Sequence, residues 1–360
     1  MKTIKLFSTI LALSLLIFST SGCKKDSSTD PENLPVELVE ESLPAIMMTL
    51  SAISYASDTL EVPKIKSHIK ELLTNTELAT QGSWSLAWGP GVSSGGANMA
   101  FVAKTNNLLS PVYAIVIRGT VLTNGPDVTQ DTSVFVLKPF LPNGEAGDSV
   151  ATGAMEGLIA LLAVKDDSTG NTLEEFLSSI TVSDASKATL FVTGHSQGGY
   201  LAPLMAYWVM KSKNDKIADK FKVRTLTFAA PSVGNKPFTQ NFTDAMTKNG
   251  GSIKMYVNTK DVMPYFWHDL IGLDHNKIPM ALPLPFAIKL GMWLEKINSA
   301  GIQYDRLTDA TGIGFIQIKD TTGYSTSSIH VQDSLYKHWV GVQHSHNNYL
   351  SLLGAHELSF

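Results

Sequence analysis

The stretch Ala188-Thr189-Leu190-Phe191-Val192-Thr193-Gly194-His195-Ser196-Gln197-Gly198-Gly199 decides the fold of this chain. Its first half is apolar and β-branched, which is typical of a buried strand, and residues 200–210 are apolar at helical spacing. Between them lies G-x-S-x-G, the pattern of a tight strand-to-helix turn with a serine at its tip. Gly194 and Gly198 flank Ser196 because the two arms of such a turn approach too closely for a Cβ. The sequence therefore predicts a candidate nucleophile, Ser196, whose hydroxyl points out of a sheet.

The rest of the chain alternates between strand-like and helix-like segments. Strands are predicted at 84–88, 99–104, 113–117, 133–138, 223–228, 253–257 and 314–318, and helices at 43–53, 64–73, 155–164, 173–180, 200–211, 238–247 and 286–297. This alternation predicts an α/β fold with a mainly parallel sheet flanked by helices. Active sites of such sheets gather at the carboxyl ends of the strands, which is where Ser196 lies.

A serine becomes a strong nucleophile when a histidine takes its proton and a carboxylate orients that histidine. When the serine lies in a strand-turn-helix motif of this kind, the three residues follow one another along the chain in the order serine, acid, histidine. Asp261 is the preferred acid because it follows the predicted strand 253–257 and precedes Pro264, which ends strand pairing. Asp269 and Asp274 remain alternatives.

The base is sought among nine histidines. Three are set aside by their position: His68, His195 and His356. His344 is preferred because it is expected in a loop just before a helix whose N-cap is Ser345. His346 would lie in the first turn of that helix and is the main alternative. His330 and His338 are also left open.

An oxyanion that develops on the substrate needs two hydrogen-bond donors. One is the backbone N–H of Gln197, directly after the nucleophile. The other is expected from Thr120, which follows the strand 113–117 and Gly119 and offers both its N–H and its Oγ.

Two groups of residues also allow a metal-binding interpretation. The pair His344 and His346 has a ligand-like spacing, although no cysteine or acidic cluster accompanies it in the sequence. The second group is His268-Asp269 with Asp274-His275.

The N-terminus has the features of a targeting segment. Lys2 and Lys5 precede an apolar run, Leu6 to Phe18, which is too short to span a bilayer. Small residues then lead to Cys23, the only cysteine, at the position where a bacterial lipoprotein is cleaved and acylated. The segment resembles a lipoprotein signal, so we expect residues 1–22 to be removed and the protein to be lipid-anchored in the bacterial cell envelope, with the outer membrane preferred, or else secreted.

We expect residues 23–35 to form a polar tether and residues 36–360 to form one domain. Without Lys2 and Lys5, 26 of the 28 basic residues remain against 32 acidic ones, a formal charge of −6. This acidic balance argues against nucleic acid as a partner. With a single cysteine the chain cannot form an internal disulfide, so its core must provide the stability.

Five motifs occur in the order found in one enzyme family. They are I-R-G-T at 117–120, G-H-S-Q-G-G at 194–199, A-P-S-V-G-N at 230–235, V-N-T-K-D-V-M-P at 257–264 and H-S-H-N-N-Y at 344–349. From about residue 50 onward the chain resembles the class 3 (fungal-type) lipases. The resemblance implies an α/β-hydrolase fold, hydrolysis of carboxylic esters, no cofactor, and often a lid in the loop after the oxyanion threonine. The polar loop beside Thr120 suggests such a lid at about 121–147, as a hypothesis. In the family's closing motif the histidine stands five residues before a tyrosine, which favours His344 over His346.

The sequence departs from the family at two places. Gln197 replaces the common leucine, and the helical insertion at about 265–310 is longer than usual. The insertion contains several large apolar residues: Trp267, Met280, Leu282, Leu284, Phe286 and Trp293. They form either a cap over the acyl site or ordinary core packing for an added helix.

These observations predict a serine carboxylic ester hydrolase with a Ser196-Asp261-His344 triad, acting on acylglycerols or other lipid esters through an acyl-enzyme. One alternative is a non-catalytic surface lipoprotein that binds lipid or glycan. Another is a thioesterase or peptidase on the same fold.

Overall fold

A seven-stranded sheet forms the centre of the protein in the computed structural model. Its strands are β1 (Trp84–Val92), β2 (Met99–Thr105), β3 (Tyr113–Ile117), β6 (Ala188–His195), β7 (Phe221–Phe228), β8 (Ser252–Asn258) and β9 (Ile313–Ile318), hydrogen-bonded in that order. Strands β1 to β3 pair antiparallel, and the pairs from β3 to β9 are parallel. The predicted, mainly parallel sheet is therefore confirmed.

The structure describes residues 38–56, 61–106, 111–121, 133–140, 144–182, 187–214, 216–217, 219–269, 283–307, 313–318 and 333–359. Their helices are α1 (Leu43–Ile53), α2 (Val62–Leu73), α3 (Thr152–Ala163), α4 (Leu173–Ser179), α5 (Gln197–Met210), α6 (Lys236–Asn249), α7 (Leu284–Ser299), α8 (Asp333–His344) and α9 (His346–Leu352). None of these described helices is long and apolar enough to cross a membrane. The predicted signal segment, Cys23 and most of the tether lie outside the described residues.

Side chains alternate in direction along each strand, so the core is divided between the two faces of the sheet. In β3, Ile115 and Ile117 pack in a cluster with residues of α3, α4 and α5. Their neighbours Ala114 and Val116 pack in a second cluster with residues of α1, α2 and α9. Successive side chains of a strand point to opposite faces, so burial on both faces explains the nearly continuous apolar sequence of the parallel strands.

The predicted elements match the structure to within a few residues, with two omissions and one shortened strand. A short ribbon pairs β4 (Leu137–Pro139) with β5 (Ser149–Ala151), where the sequence indicated only a strand at 133–138. Helix α8 was not predicted at all. Pro203 lies inside α5 without ending it, and the helix continues to Met210.

Candidate active site

The serine turn has the strained geometry that its sequence predicts. Strand β6 ends at His195, α5 begins at Gln197, and Ser196 between them has φ 58° and ψ −124°. A non-glycine residue in this region costs on the order of 1–3 kcal/mol and persists only when its surroundings hold it there. The Ser196 N–H donates to the carbonyl oxygen of Phe228 at 2.9 Å, and the Ser196 carbonyl oxygen accepts from the Tyr200 N–H at 2.9 Å.

Two glycines allow the arms of this turn to meet. A Cβ on Gly194 would lie 2.8 Å from the Gly198 Cα, closer than real Cβ contacts allow. A Cβ on Gly198 would collide with the carbonyl oxygen of Ile117, the last residue of β3. The two positions are therefore glycines for steric reasons, as predicted.

A continuous chain of hydrogen bonds runs from Ser196 through His344 to Asp261. The Ser196 Oγ lies 2.7 Å from the His344 Nε2, and the His344 Nδ1 lies 2.9 Å from the Asp261 Oδ2. A neutral imidazole carries one N–H, and the carboxylate can only accept, so the Nδ1–H donates to Asp261 and the Nε2 is left to accept from the serine. The three predicted site residues, separated by up to 148 positions, are brought together in this arrangement.

Asp261 occupies a buried position at the turn that follows β8. It is 1% exposed, and its Oδ1 accepts from the Met263 N–H at 2.9 Å. Its Oδ2 also accepts from the Tyr349 hydroxyl at 2.9 Å, while that hydroxyl accepts from the Asn258 N–H at 2.9 Å. Burial, together with the charge of Asp261, raises the pKa of Tyr349 well above its usual value, so the phenol remains a donor. Of the alternative acids, Asp274 lies outside the described residues.

His344 is the last residue of helix α8, so the expectation that it lies in a free loop was wrong. Ser345 then caps α9, with its side chain accepting from the Asn347 N–H at 3.2 Å, as predicted. The end of α8 is fixed because the Asn258 side-chain amide donates to the Gln343 carbonyl oxygen at 3.1 Å and to its Oε1 at 2.8 Å. The junction between α8 and α9 therefore orients the His344 imidazole toward Ser196 and Asp261.

The alternative bases do not take the place of His344 beside Ser196, or they lie outside the described residues. His346 stacks on Tyr55 with ring centroids 5.1 Å apart, and burial lowers its pKa to about 4. His338 belongs to α8, more than one turn before His344. His330 lies outside the described residues.

His195, which the sequence argument set aside, supports the candidate base. Its Nε2 lies 2.8 Å from the backbone carbonyl oxygen of His344, and its Nδ1 lies 3.1 Å from the Tyr55 hydroxyl. Burial, and then electrostatic repulsion from the neighbouring imidazoles of His344 and His346 whenever they are protonated, lowers the pKa of His195 well below its usual value. The ring is therefore neutral, with the Nε2–H donating to the carbonyl oxygen and the Nδ1 accepting from the phenol. The only feature of the sequence that pointed to this supporting role was the position of His195 beside the nucleophile.

The two candidate oxyanion donors lie at the ends of elements that meet at the serine turn. Gln197 is the first residue of α5, where backbone N–H groups point outward and the helix dipole is positive. Thr120 follows β3 and Gly119, and a Cβ on Gly119 would lie 2.5 Å from the His195 carbonyl oxygen. The glycine thus lets the Thr120 loop approach the serine turn.

The metal interpretations gain no support from the part of the chain that the structure describes. No group of three or more His, Cys, Asp or Glu residues gathers there in a way that could hold a metal ion. His344 in the proposed pair is engaged with Ser196 and Asp261. Asp274 and His275, half of the second group, lie outside the described residues.

Comparison with known proteins agrees with this architecture. Residues 114–269 match the family model "Lipase (class 3)", a span that includes Ser196 and Asp261. A stretch of 83 residues is 37% identical to phospholipase A1-Igamma2, chloroplastic, of Arabidopsis thaliana, and covers 22% of this chain and 15% of that protein's length. The crystal structure of M37 lipase superposes with a TM-score of 0.68 and 23% identity, over 87% of this chain and 93% of the lipase.

These likenesses confirm the resemblance seen in the sequence over its central region. Residues 114–269 match the class 3 lipase model, a narrower span than the five motifs suggested, and the domain has the α/β-hydrolase fold.

Proposed function

We propose that this protein hydrolyses carboxylic esters, with Ser196 as nucleophile, His344 as general base and acid, and Asp261 orienting the imidazole. The observation that carries the proposal is the hydrogen-bonded chain of 2.7 Å and 2.9 Å through these residues. The 2.7 Å distance between Oγ and Nε2 lies within the reach that proton transfer requires, and the 2.9 Å distance between Nδ1 and Oδ2 is that of a hydrogen bond that orients the imidazole. The strained backbone of Ser196 supports the same interpretation, because such strain concentrates at functional sites.

In the first half of the reaction, the Ser196 Oγ bonds to the ester carbonyl carbon while its proton passes to the His344 Nε2. The N–H of Gln197 and the N–H or Oγ of Thr120 would bind the resulting oxyanion. Collapse of this intermediate breaks the bond to the alcohol, which leaves with the proton from His344. A water then repeats the sequence on the acyl-enzyme and releases the acid, while Asp261 stays ionised throughout.

We propose that the substrate is a lipid ester, an acylglycerol or a related compound. The short likeness to a plant phospholipase points to the same class of substrate.

We also propose that the enzyme works from the surface of a bacterial envelope membrane. The support is the lipoprotein-like start of the sequence: two lysines, an apolar run from Leu6 to Phe18, and Cys23. One or two acyl chains on Cys23 would tether an otherwise water-exposed domain.

The test is hydrolysis of p-nitrophenyl esters from acetate to palmitate by the full chain and by Ser196→Ala. Removing the nucleophile of a serine hydrolase lowers kcat by about 10⁶-fold, so we expect turnover to disappear. Ser232→Ala is the matched control, because Ser232 is also buried, at 6% exposure, and its hydroxyl has no hydrogen-bond partner among the described residues.

A folded protein without turnover on any of these esters would favour the lipid- or glycan-binding alternative. Faster turnover of matched thioesters or amides would favour the thioesterase or peptidase. Retention of activity by Ser196→Ala would overturn the proposed nucleophile.

A further inference from the structure

The outer face of helix α7 carries a line of exposed apolar side chains. Leu284, Ile288 and Met292 are 72%, 57% and 54% exposed, and they are spaced by four residues. This spacing places them one above another on one face of the helix. The opposite face carries Leu290 and Ile297, which are buried in the core. Core packing explains the inner face of α7 and leaves the outer stripe unexplained.

The charges near this stripe are arranged as at a lipid–water boundary. Although the chain has a net charge of −4, this helix carries three charged residues, Lys289, Glu295 and Lys296, and so has a net charge of +1. The Lys289 Nζ lies 4.9 Å from the ring centroid of the half-buried Trp293. A lysine can keep its apolar stem against an apolar surface while its ammonium group reaches the headgroup level of a bilayer.

We propose that the outer face of α7, formed by Leu284, Ile288 and Met292, docks on a lipid surface, where Lys289 meets anionic headgroups. The inference rests on the proposed function in taking the lipid as the source of substrate. The helix is 16 residues long, or about 24 Å, and would lie in the plane of the surface with its apolar face immersed.

A second copy of this chain is a poorer occupant of this face. Three side chains offer on the order of a few hundred Å² of apolar surface. A stable protein–protein interface needs about 800 Å² from each partner. A lipid surface has no such minimum, because it adapts to a narrow stripe.

The inner face of α7 connects this docking surface to both catalytic segments. The Trp293 ring lies 5.7 Å from that of Trp267, six residues after Asp261. The Phe286 ring lies 5.3 Å from that of Tyr336, in the helix that ends at His344. Docking through α7 would therefore hold the candidate site beside the lipid.

The test is co-sedimentation of the full chain with vesicles of phosphatidylcholine and phosphatidylglycerol. The chain carries Cys23→Ala to prevent acylation and Ser196→Ala to prevent hydrolysis. In this background, we expect Leu284→Gln/Ile288→Gln/Met292→Gln to lower the vesicle partition coefficient at least tenfold, and Ile288→Gln alone about threefold. We expect Lys289→Gln to lower it about fivefold, the effect of about one lysine at an anionic surface. The matched control is Ile159→Gln, because Ile159 on α3 is also 54% exposed.

Loss of vesicle binding in the stripe variants but not in Ile159→Gln supports the docking surface. A parent chain that does not bind vesicles, an unchanged stripe variant, or an equal loss in the control overturns it. Self-association that is abolished by the stripe variant in the absence of lipid would assign the face to a second copy and also overturn it. Turnover of soluble p-nitrophenyl acetate by the stripe variant with Ser196 intact tests the proposed function separately.

Discussion

The serine turn and the histidine arm, residues 343–346, meet at the same site but are held in different ways. The turn is fixed by backbone hydrogen bonds and by glycines in the same short sequence. The arm is fixed by side chains from distant strands, since Asn258 binds Gln343 and His195 binds the His344 carbonyl oxygen. The side chains that the nucleophile turn requires are therefore local, although its backbone also binds Phe228 of β7, whereas the base depends on side chains from distant strands. The arm is thus the part that a conservative substitution can displace without unfolding the turn.

Substitution of the two histidines of the arm should give the largest difference in kcat. His344→Ala removes the ring that contacts Ser196 and is expected to lower kcat by about 10⁶-fold. His346→Ala removes a ring that stacks on Tyr55 and is expected to change kcat by less than about tenfold. Steady-state kinetics on a soluble ester, with circular dichroism to verify folding, measures both variants. Equal losses in the two variants would contradict the assignment of His344.

The sequence could predict the turn because its requirements are local. A buried strand, a serine between two glycines and an apolar helix occur within some 20 residues, and each has its own pattern. Helix α8 carried such a pattern as well, because Tyr336, Trp339 and Gln343 are buried at the spacing i, i+3, i+7. The loop predicted for His344 overlooked this helical period.

The preference for His344 over His346 also came from a spacing whose physical reason only the structure provides. The histidine stands five residues before Tyr349, and both side chains bind the Asp261 Oδ2. Ser345 caps the intervening helix start and fixes their relative positions. The role of His195 could not be predicted, because its partners Tyr55 and His344 lie 140 and 149 residues away in the chain.

A methyl group at the serine turn should test its local rigidity. Gly194→Ala places a Cβ 2.8 Å from the Gly198 Cα and is expected to lower the free energy of unfolding by about 3 kcal/mol. Gly291→Ala is the matched control within α7, where a Cβ meets nothing within 4 Å, and alanine should raise the free energy of unfolding by about 0.5–1 kcal/mol. Urea denaturation measures both changes. A Gly194→Ala protein as stable as the wild type would show that the turn can relax.

A smaller loss of kcat than that of His344→Ala is expected where His195 supports the arm. His195→Phe removes the donor to the His344 carbonyl oxygen, and the resulting shift of the base should lower kcat by about 10–100-fold with KM unchanged. His195→Gln keeps an amide N–H near the Nε2 position and should recover most of this loss. A purely structural role would lower stability in both variants without this recovery of kcat.

The dependence of stability on pH provides a second measure of His195. Burial keeps its folded-state pKa well below the unfolded value of about 6.5, so below that pH the unfolded chain takes up a proton that the native ring does not. The stability contributed by the neutral ring is thus present above pH 6.5 and is lost as pH falls, with a slope of up to about 1.4 kcal/mol per pH unit. His346, whose pKa burial lowers to about 4, contributes in the same direction. His195→Gln should reduce the slope of the wild-type profile between about pH 6.5 and 5, where the contribution of His346 remains and carboxyls with a lowered pKa, such as Glu40 at about 2, contribute mainly at lower pH. An unchanged slope would mean that His195 titrates in the folded protein.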